Sequence, residues 1–256
     1  MAKKSSSNTL AYPVRAWLIW LLSAHFMFYK YALEVSPSVM TETLMKTFSI
    51  NGVSLGNLAA SYFYAYLLLQ IPAGLLLDRF GPRKIATAAI ALCAAGSFTF
   101  AYSNSFLIAC AGRFLTGAGA AFAAVNSLKL IANWFPFRLF AFMTGLMMTV
   151  AMLGAVGGQA PLSAFIEKMQ WRFAIEIIGW GGLALAVLFW IFVRDQSPDR
   201  TREKHIAPEV ASFAASIKMI FTNAQSWWLS LYSGLAFAPV MVFGGLWGVS
   251  YLSQAF

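Results

Sequence analysis

Long apolar runs separated by short polar stretches dominate the chain. Ala16–Ser36, Ser54–Leu77, Ile85–Ser103, Phe106–Trp134, Phe140–Phe165, Phe173–Val193 and Trp227–Tyr251 each reach about the 20 apolar residues that a helix needs to cross the hydrocarbon layer. They lack the alternating polarity of a barrel strand, and an open strand cannot satisfy its backbone in lipid. The pattern predicts an all-α membrane protein of seven spans. Two connections are long, 37–53 and Arg194–Ser226, and the second concentrates Asp, Arg, Glu, Lys, Pro and Ser. The expected organisation is a six-helix unit over residues 1–193, a charged cytoplasmic linker over 194–226 and a seventh helix over 227–256. Trp227 and Trp228 at one end of that helix, with Trp247 and Tyr251 at the other, are spaced like the aromatic belts of a complete span.

Composition sharpens this picture. With 60% hydrophobic and 11% charged residues, the chain carries more apolar surface than one soluble core of this size can hide, so the excess faces lipid. A formal charge of +9 would suggest nucleic acid in a soluble protein, but here the placement of the charges explains them. A cytoplasmic N-terminus puts Lys3, Lys4, Arg15, Arg79, Arg83, Lys84, Arg138, Arg194, Arg200, Arg202, Lys204 and Lys218 inside and only Lys46, Lys168 and Arg172 outside. The expected location is a bacterial inner (plasma) membrane, multi-pass, with lipid and not nucleic acid as the surrounding partner. The first run is too long for a signal peptide and lacks its cleavage site. Cys93 and Cys110 lie within predicted helices and read as small apolar residues. No H-E-x-x-H, G-x-S-x-G, Walker loop or acidic metal cluster occurs, so no enzyme, cofactor or metal centre is expected.

The sharpest motif is Gly74-Leu-Leu-Leu-Asp78-Arg79-Phe-Gly81-Pro-Arg83-Lys84, a tight hairpin between two spans. Gly74 would permit close helix approach, Gly81 suits a turn, and Asp78 can accept from basic groups or a helix N-terminus. A second motif is Arg113-Phe-Leu-Thr-Gly117-Ala-Gly119. Together they resemble the signatures of the major facilitator superfamily, the first standing between helices 2 and 3, the second in helix 4 with Thr116 where Gln is common. Asn133-Trp134-Phe135-Pro136 and Trp171-Arg172 look like the family's connectors. Gly145, Gly154 and Gly158 match part of its helix 5 glycine motif. That match fails at Gln159 and Leu162, with Pro161 displaced, so these glycines are read as close helix packing, together with Gly117 and Gly119. The resemblance implies a six-helix N-terminal bundle of three plus three inverted helices, a seventh helix and an incomplete C-terminal half. In the family the loop of Gly74 to Lys84 latches two halves on the cytoplasmic side. A weak internal repeat agrees: Asp78-Arg79-x3-Arg83 recurs as Glu167-Lys168-x3-Arg172, on opposite sides of the membrane by the predicted topology.

Ionisable groups within spans are costly and are functional candidates. Helix 1 carries His25, Tyr29, Lys30 and Glu34. At 100° per residue His25 and Tyr29 share one face, with Lys30 and Glu34 nearly opposite, where they either serve the substrate or neutralise each other. The resemblance assigns Arg113 to coupling or to bracing the helices. Asn126 and Lys129 are expected at the substrate, because the family lines its path with helices 1, 4, 7 and 10; the alternative for Lys129 is snorkelling to the cytoplasm. The implied function is secondary active transport of a small anionic or zwitterionic organic solute by alternating access, coupled to an ion such as a proton. Since such proteins have two six-helix halves, a chain ending after helix 7 is expected to be inactive alone. The competing classes are a seven-helix receptor or a non-transporting membrane subunit; the inside N-terminus and the absence of a lysine in helix 7 oppose a retinal-type receptor.

Overall fold

A computed structural model of the chain describes residues 14–196, 221–239, 242–243 and 251. The described residues form helices joined by short turns, without strands: α1 (Val14–Val35), a 3-10 turn (Ser36–Val39), α2 (Thr41–Phe48), α3 (Gly52–Phe80), α4 (Pro82–Ala101), α5 (Phe106–Ala120), α6 (Ala123–Trp134), α7 (Phe137–Gly157), α8 (Ala160–Lys168), α9 (Trp171–Phe192) and α10 (Ala224–Pro239).

Local chemistry sets the helix ends. Asn51 Oδ1 accepts from the Ser54 amide at 2.9 Å and opens α3; Ser105 Oγ does the same for Ile108 at 3.4 Å and opens α5. Gly81, with φ of +84°, lets α3 stop and α4 begin at Pro82 within a single residue. The expected helix 4 is divided into α5 and α6 at Ala121–Phe122, and the expected helix 5 into α7 and α8 at Gly158–Gln159. The 37–53 connection contains α2, whose Leu44 is buried while Glu42 and Lys46 are exposed.

Five helical stretches are long and apolar enough to cross a membrane: Gly52–Phe80, Pro82–Ala101, Phe106–Trp134, Phe137–Lys168 and Trp171–Phe192. These are the expected spans 2 to 6. The helix of span 1, α1, is also present, but His25, Lys30 and Glu34 lower its hydropathy. Of span 7 the structure describes α10, which buries no residue, and residues 242–243 and 251; residues 240–241 and 244–250, and 197–220 of the linker, lie outside the described residues.

The principal packing pairs are α4 with α5, α4 with α9, α3 with α5, and α1 with α7. Backbones meet where side chains are absent: Gly117 lies against the Tyr62 backbone, Gly119 against Ala89, Gly154 against Phe28 and Gly158 against Ala32. Gly145 and Gly74, both expected at close contacts, instead face open space among the described residues, because their faces of α7 and α3 meet no neighbouring helix. The apolar window of α5–α6 is 61% buried, against 22% for α3 and for α7–α8, which places α5–α6 centrally. Leu67, Leu68 and Phe142 project outward, as lipid-facing positions do.

Candidate functional site

At the end of the bundle where α3 meets α4, the signature loop is gripped from several sides. Gly81 is crowded as well as turned: a Cβ there would lie 2.8 Å from Asp195 Oδ2. Asp195 Oδ1 accepts from the Arg83 amide at 2.7 Å. The Arg83 Nε donates to the Trp190 carbonyl at 2.8 Å, and its guanidinium sits 4.2 Å from the Trp190 ring centre. Asn133 Nδ2 donates to the Asp195 carbonyl at 2.8 Å and Trp134 Nε1 to the Arg194 carbonyl at 3.0 Å. Lys129, from α6, reaches the Leu77 carbonyl at 2.8 Å and Asp78 Oδ1 at 2.6 Å. The Lys129 ammonium thus reaches the signature loop, whereas Asn126, with which the sequence grouped it, is fully buried on α6. The Asp78 side chain remains 69% exposed, and Arg79 and Lys84 are exposed.

Nearer the opposite end, charge is buried inside the bundle. Lys30 and Glu34 form an ion pair one turn apart on α1, 6% and 7% exposed as residues. Tyr62 of α3 donates its hydroxyl to Glu34 Oε2 at 3.1 Å. The Lys30 ammonium stands 3.8 Å from the Tyr31 ring centre and 5.1 Å from that of Tyr66, which stacks on Tyr62. Arg113 of α5 lies 4.9 Å from the Tyr62 ring and donates to the Leu33 carbonyl at 2.7 Å and the Glu34 carbonyl at 3.3 Å. Those carbonyls belong to the last turn of α1, where no helical partner exists, so the guanidinium completes the helix end. Two cations and one carboxylate leave the cluster one positive charge in excess.

The remaining candidates separate. Tyr29 is buried with its hydroxyl against Gly182 of α9, whereas His25 is exposed, so the common face expected for the two is not formed. The reason is that α1 beyond its first two residues is packed on most of its circumference, and His25 lies with Trp17 and Leu21 on the exposed stripe. Asn126 is fully buried, and neither of its side-chain polar atoms has a hydrogen-bond partner among the described residues. Neighbouring Ser127 donates to the Ser23 carbonyl at 3.3 Å and ties α6 to α1. Sequence reasoning missed Asp195 and Tyr62. Asp195 had a signal, an acid immediately after an apolar span; Tyr62 had none, because tyrosine is ordinary in membrane helices. No group of His, Cys, Asp and Glu that could hold a metal occurs among the described residues.

A lipid-facing bundle of long apolar helices, with a gripped turn between two spans and a buried ionic cluster, defines a polytopic membrane protein. Residues 20–256 match the Major Facilitator Superfamily, and the chain belongs to it. The uncharacterized transporter YybO of Bacillus subtilis (strain 168) is 28% identical over 230 residues, covering 84% of this chain and 52% of that protein. The probable galactarate/D-glucarate transporter GarP of Escherichia coli (strain K12) is 31% identical over 112 residues, 41% of this chain and 25% of that protein. The 4-hydroxybenzoate transporter PcaK of Pseudomonas putida is 25% identical over 217 residues, 79% and 48% respectively. The fold is also that of a bacterial homolog of the human lysosomal transporter Spinster, solved inward-facing and unoccupied, with a TM-score of 0.64, 18% identity, and coverage of 72% of this chain and 44% of that one. The chain spans about half the length, or less, of the curated relatives it matches.

Proposed function

We propose that the chain forms the first six-helix half, with the start of the second, of a secondary transporter that moves a small organic anion by alternating access with a coupled proton. The observation that carries this reading is the Lys30, Glu34 and Arg113 cluster, whose excess positive charge is held inside the bundle by α1, α3 and α5. A buried cation next to a carboxylate offers an incoming carboxylate a partner, and Glu34, once released by Lys30, can take up a proton. The names of matched relatives support the solute class: galactarate/D-glucarate, 4-hydroxybenzoate and, for the probable transporter SauU of Cupriavidus necator, sulfoacetate. Arg113 serves as a brace in this scheme, with Lys30 as the substrate contact and Glu34 as the proton carrier. The basic loops at the signature end support a cytoplasmic side for that end in this reading.

The test is uptake of labelled hydroxy- and sulfo-carboxylates, against neutral sugars, by vesicles containing a form with both halves. Anion uptake driven by an inward proton gradient and lost in Lys30→Gln is the expected result. Equal uptake of a neutral sugar, or anion uptake indifferent to the gradient, would overturn the proposal.

A further inference from the structure

The internal repeat acquires a physical meaning when its two arginines are compared. Arg83 is the second residue of α4 and Arg172 the second residue of α9, and these two helices pack side by side in opposite directions. From the start of α4, Arg83 donates to the Trp190 carbonyl in the last turn of α9 at 2.8 Å. From the start of α9, Arg172 Nη1 donates to the Ala101 carbonyl, the last residue of α4, and to the Ser103 carbonyl just beyond it, both at 2.7 Å. Each guanidinium also lies over a tryptophan of α9: Arg83 is 4.2 Å from the Trp190 ring centre and Arg172 is 4.5 Å from that of Trp171.

We propose that Arg172 is the opposite-end counterpart of the signature arginine Arg83, and that the two fasten the α4–α9 pair into one strut with independently secured ends. A helix C-terminus presents carbonyls without internal partners and a partial negative charge, so a guanidinium from the adjacent helix start satisfies both needs. The two ends differ in redundancy. At the signature end Asp195, Asn133 and Trp134 add further ties to the segment after α9. At the other end Arg172 supplies polar ties between the two helices, to the Ala101 and Ser103 carbonyls, beside the packing of Trp171 on Phe100 at 5.4 Å. Arg172 is therefore a positioning residue, although it stands outside the glycine-rich signature.

Backbone amide exchange of the full chain in lipid nanodiscs, followed by mass spectrometry, tests this without any transport assay. Arg172→Gln is expected to speed exchange about tenfold or more at residues 98–103 and 171–176, the scale of a lost charge-assisted hydrogen bond, with 189–195 unchanged. Arg83→Gln is expected to raise exchange at 189–195 by less, because Asp195, Asn133 and Trp134 keep that end tied, with 98–103 unchanged. If Arg172→Gln does not accumulate, Arg172→Lys replaces a two-carbonyl fork by a point charge and should give a smaller rise at the same end. Unchanged exchange at 98–103 in the tested Arg172 variant, or an equal rise at both ends, overturns the proposal. Because the readout is local exchange, failure here leaves the anion-transport reading untouched, and failure of that reading leaves this one standing.

Discussion

Replacing Glu34 by Gln should harm the fold more than replacing Lys30 by Gln, although the two residues are partners. Removing one member of a buried ion pair costs about 3–5 kcal/mol when the survivor is left uncompensated. In Glu34→Gln the survivors are Lys30 and Arg113, two like charges in the same buried cluster, and the ammonium keeps tyrosine faces and a neutral amide oxygen in place of a carboxylate. In Lys30→Gln the survivors are Glu34 and Arg113, which sum to zero, and Glu34 keeps the Tyr62 hydroxyl at 3.1 Å. The first variant should sit near the full penalty, and the second near the roughly 1–3 kcal/mol of one lost charged hydrogen bond. A gap of about 2 kcal/mol corresponds to roughly 4–8 °C in melting temperature for a unit of this size. The assay is thermal unfolding of the purified variants in one detergent, with the Lys30→Met/Glu34→Met double variant as the third corner. The double variant should recover much of the loss, because no charge is stranded, yet it should not transport. Equal melting temperatures for the two single variants, or a lower one for Lys30→Gln, would show that Arg113 does not offset Glu34 and would refute the charge argument.

Three further outcomes are expected. Gly117→Val and Gly154→Val should abolish accumulation of folded protein, since each Cβ would enter the backbone of Tyr62 or Phe28, while Gly145→Ala, in open space within α7, should not lower the melting temperature; immunoblots and melting curves compare them. Asp78→Asn should leave membrane abundance within about 1 kcal/mol of wild-type stability, because the carboxylate is 69% exposed, but should lower uptake by a form with both halves; unchanged uptake removes the latch role. In a background lacking Cys93 and Cys110, a cysteine at Asn104 should react with an impermeant thiol reagent in intact cells and one at Arg138 should not, and the reverse pattern would invert the topology.

Spans 2 to 6 were readable from the sequence because lipid demands uninterrupted apolar length, and the helices start and stop within a few residues of the expected runs. The internal breaks were not readable. Ala121–Phe122 and Gly158–Gln159 lie in apolar, glycine-containing sequence whose hydropathy does not register a turn. The helical wheel of α1 sorted His25 with Tyr29 correctly by angle and still gave the wrong environment. A wheel assumes one packed face, and α1 is packed nearly all round. For Lys129 the sequence left two destinations open; the choice depended on the length of a side chain against the distance to Asp78, which is tertiary information. Tyr62 was invisible for a similar reason, since its role arises from what Gly117 allows α5 to bring beside it.

The helix-end contacts change how the chain's electrostatics should be weighed. Arg83, Arg113, Lys129 and Arg172 each point at backbone carbonyls in or just past the last turn of another helix, and among the described residues only Lys129 of the four also forms an ion pair with a carboxylate. A cation held this way is matched by the half-charge of a helix terminus. The formal +9 therefore overstates the field that a passing solute meets, because part of it is screened within the scaffold. Under the proposed anion-transport reading, an approaching anion is drawn to the few positions where a cation's neighbour can be exchanged. Lys30, whose partner is a movable side chain and not a fixed peptide dipole, is such a position.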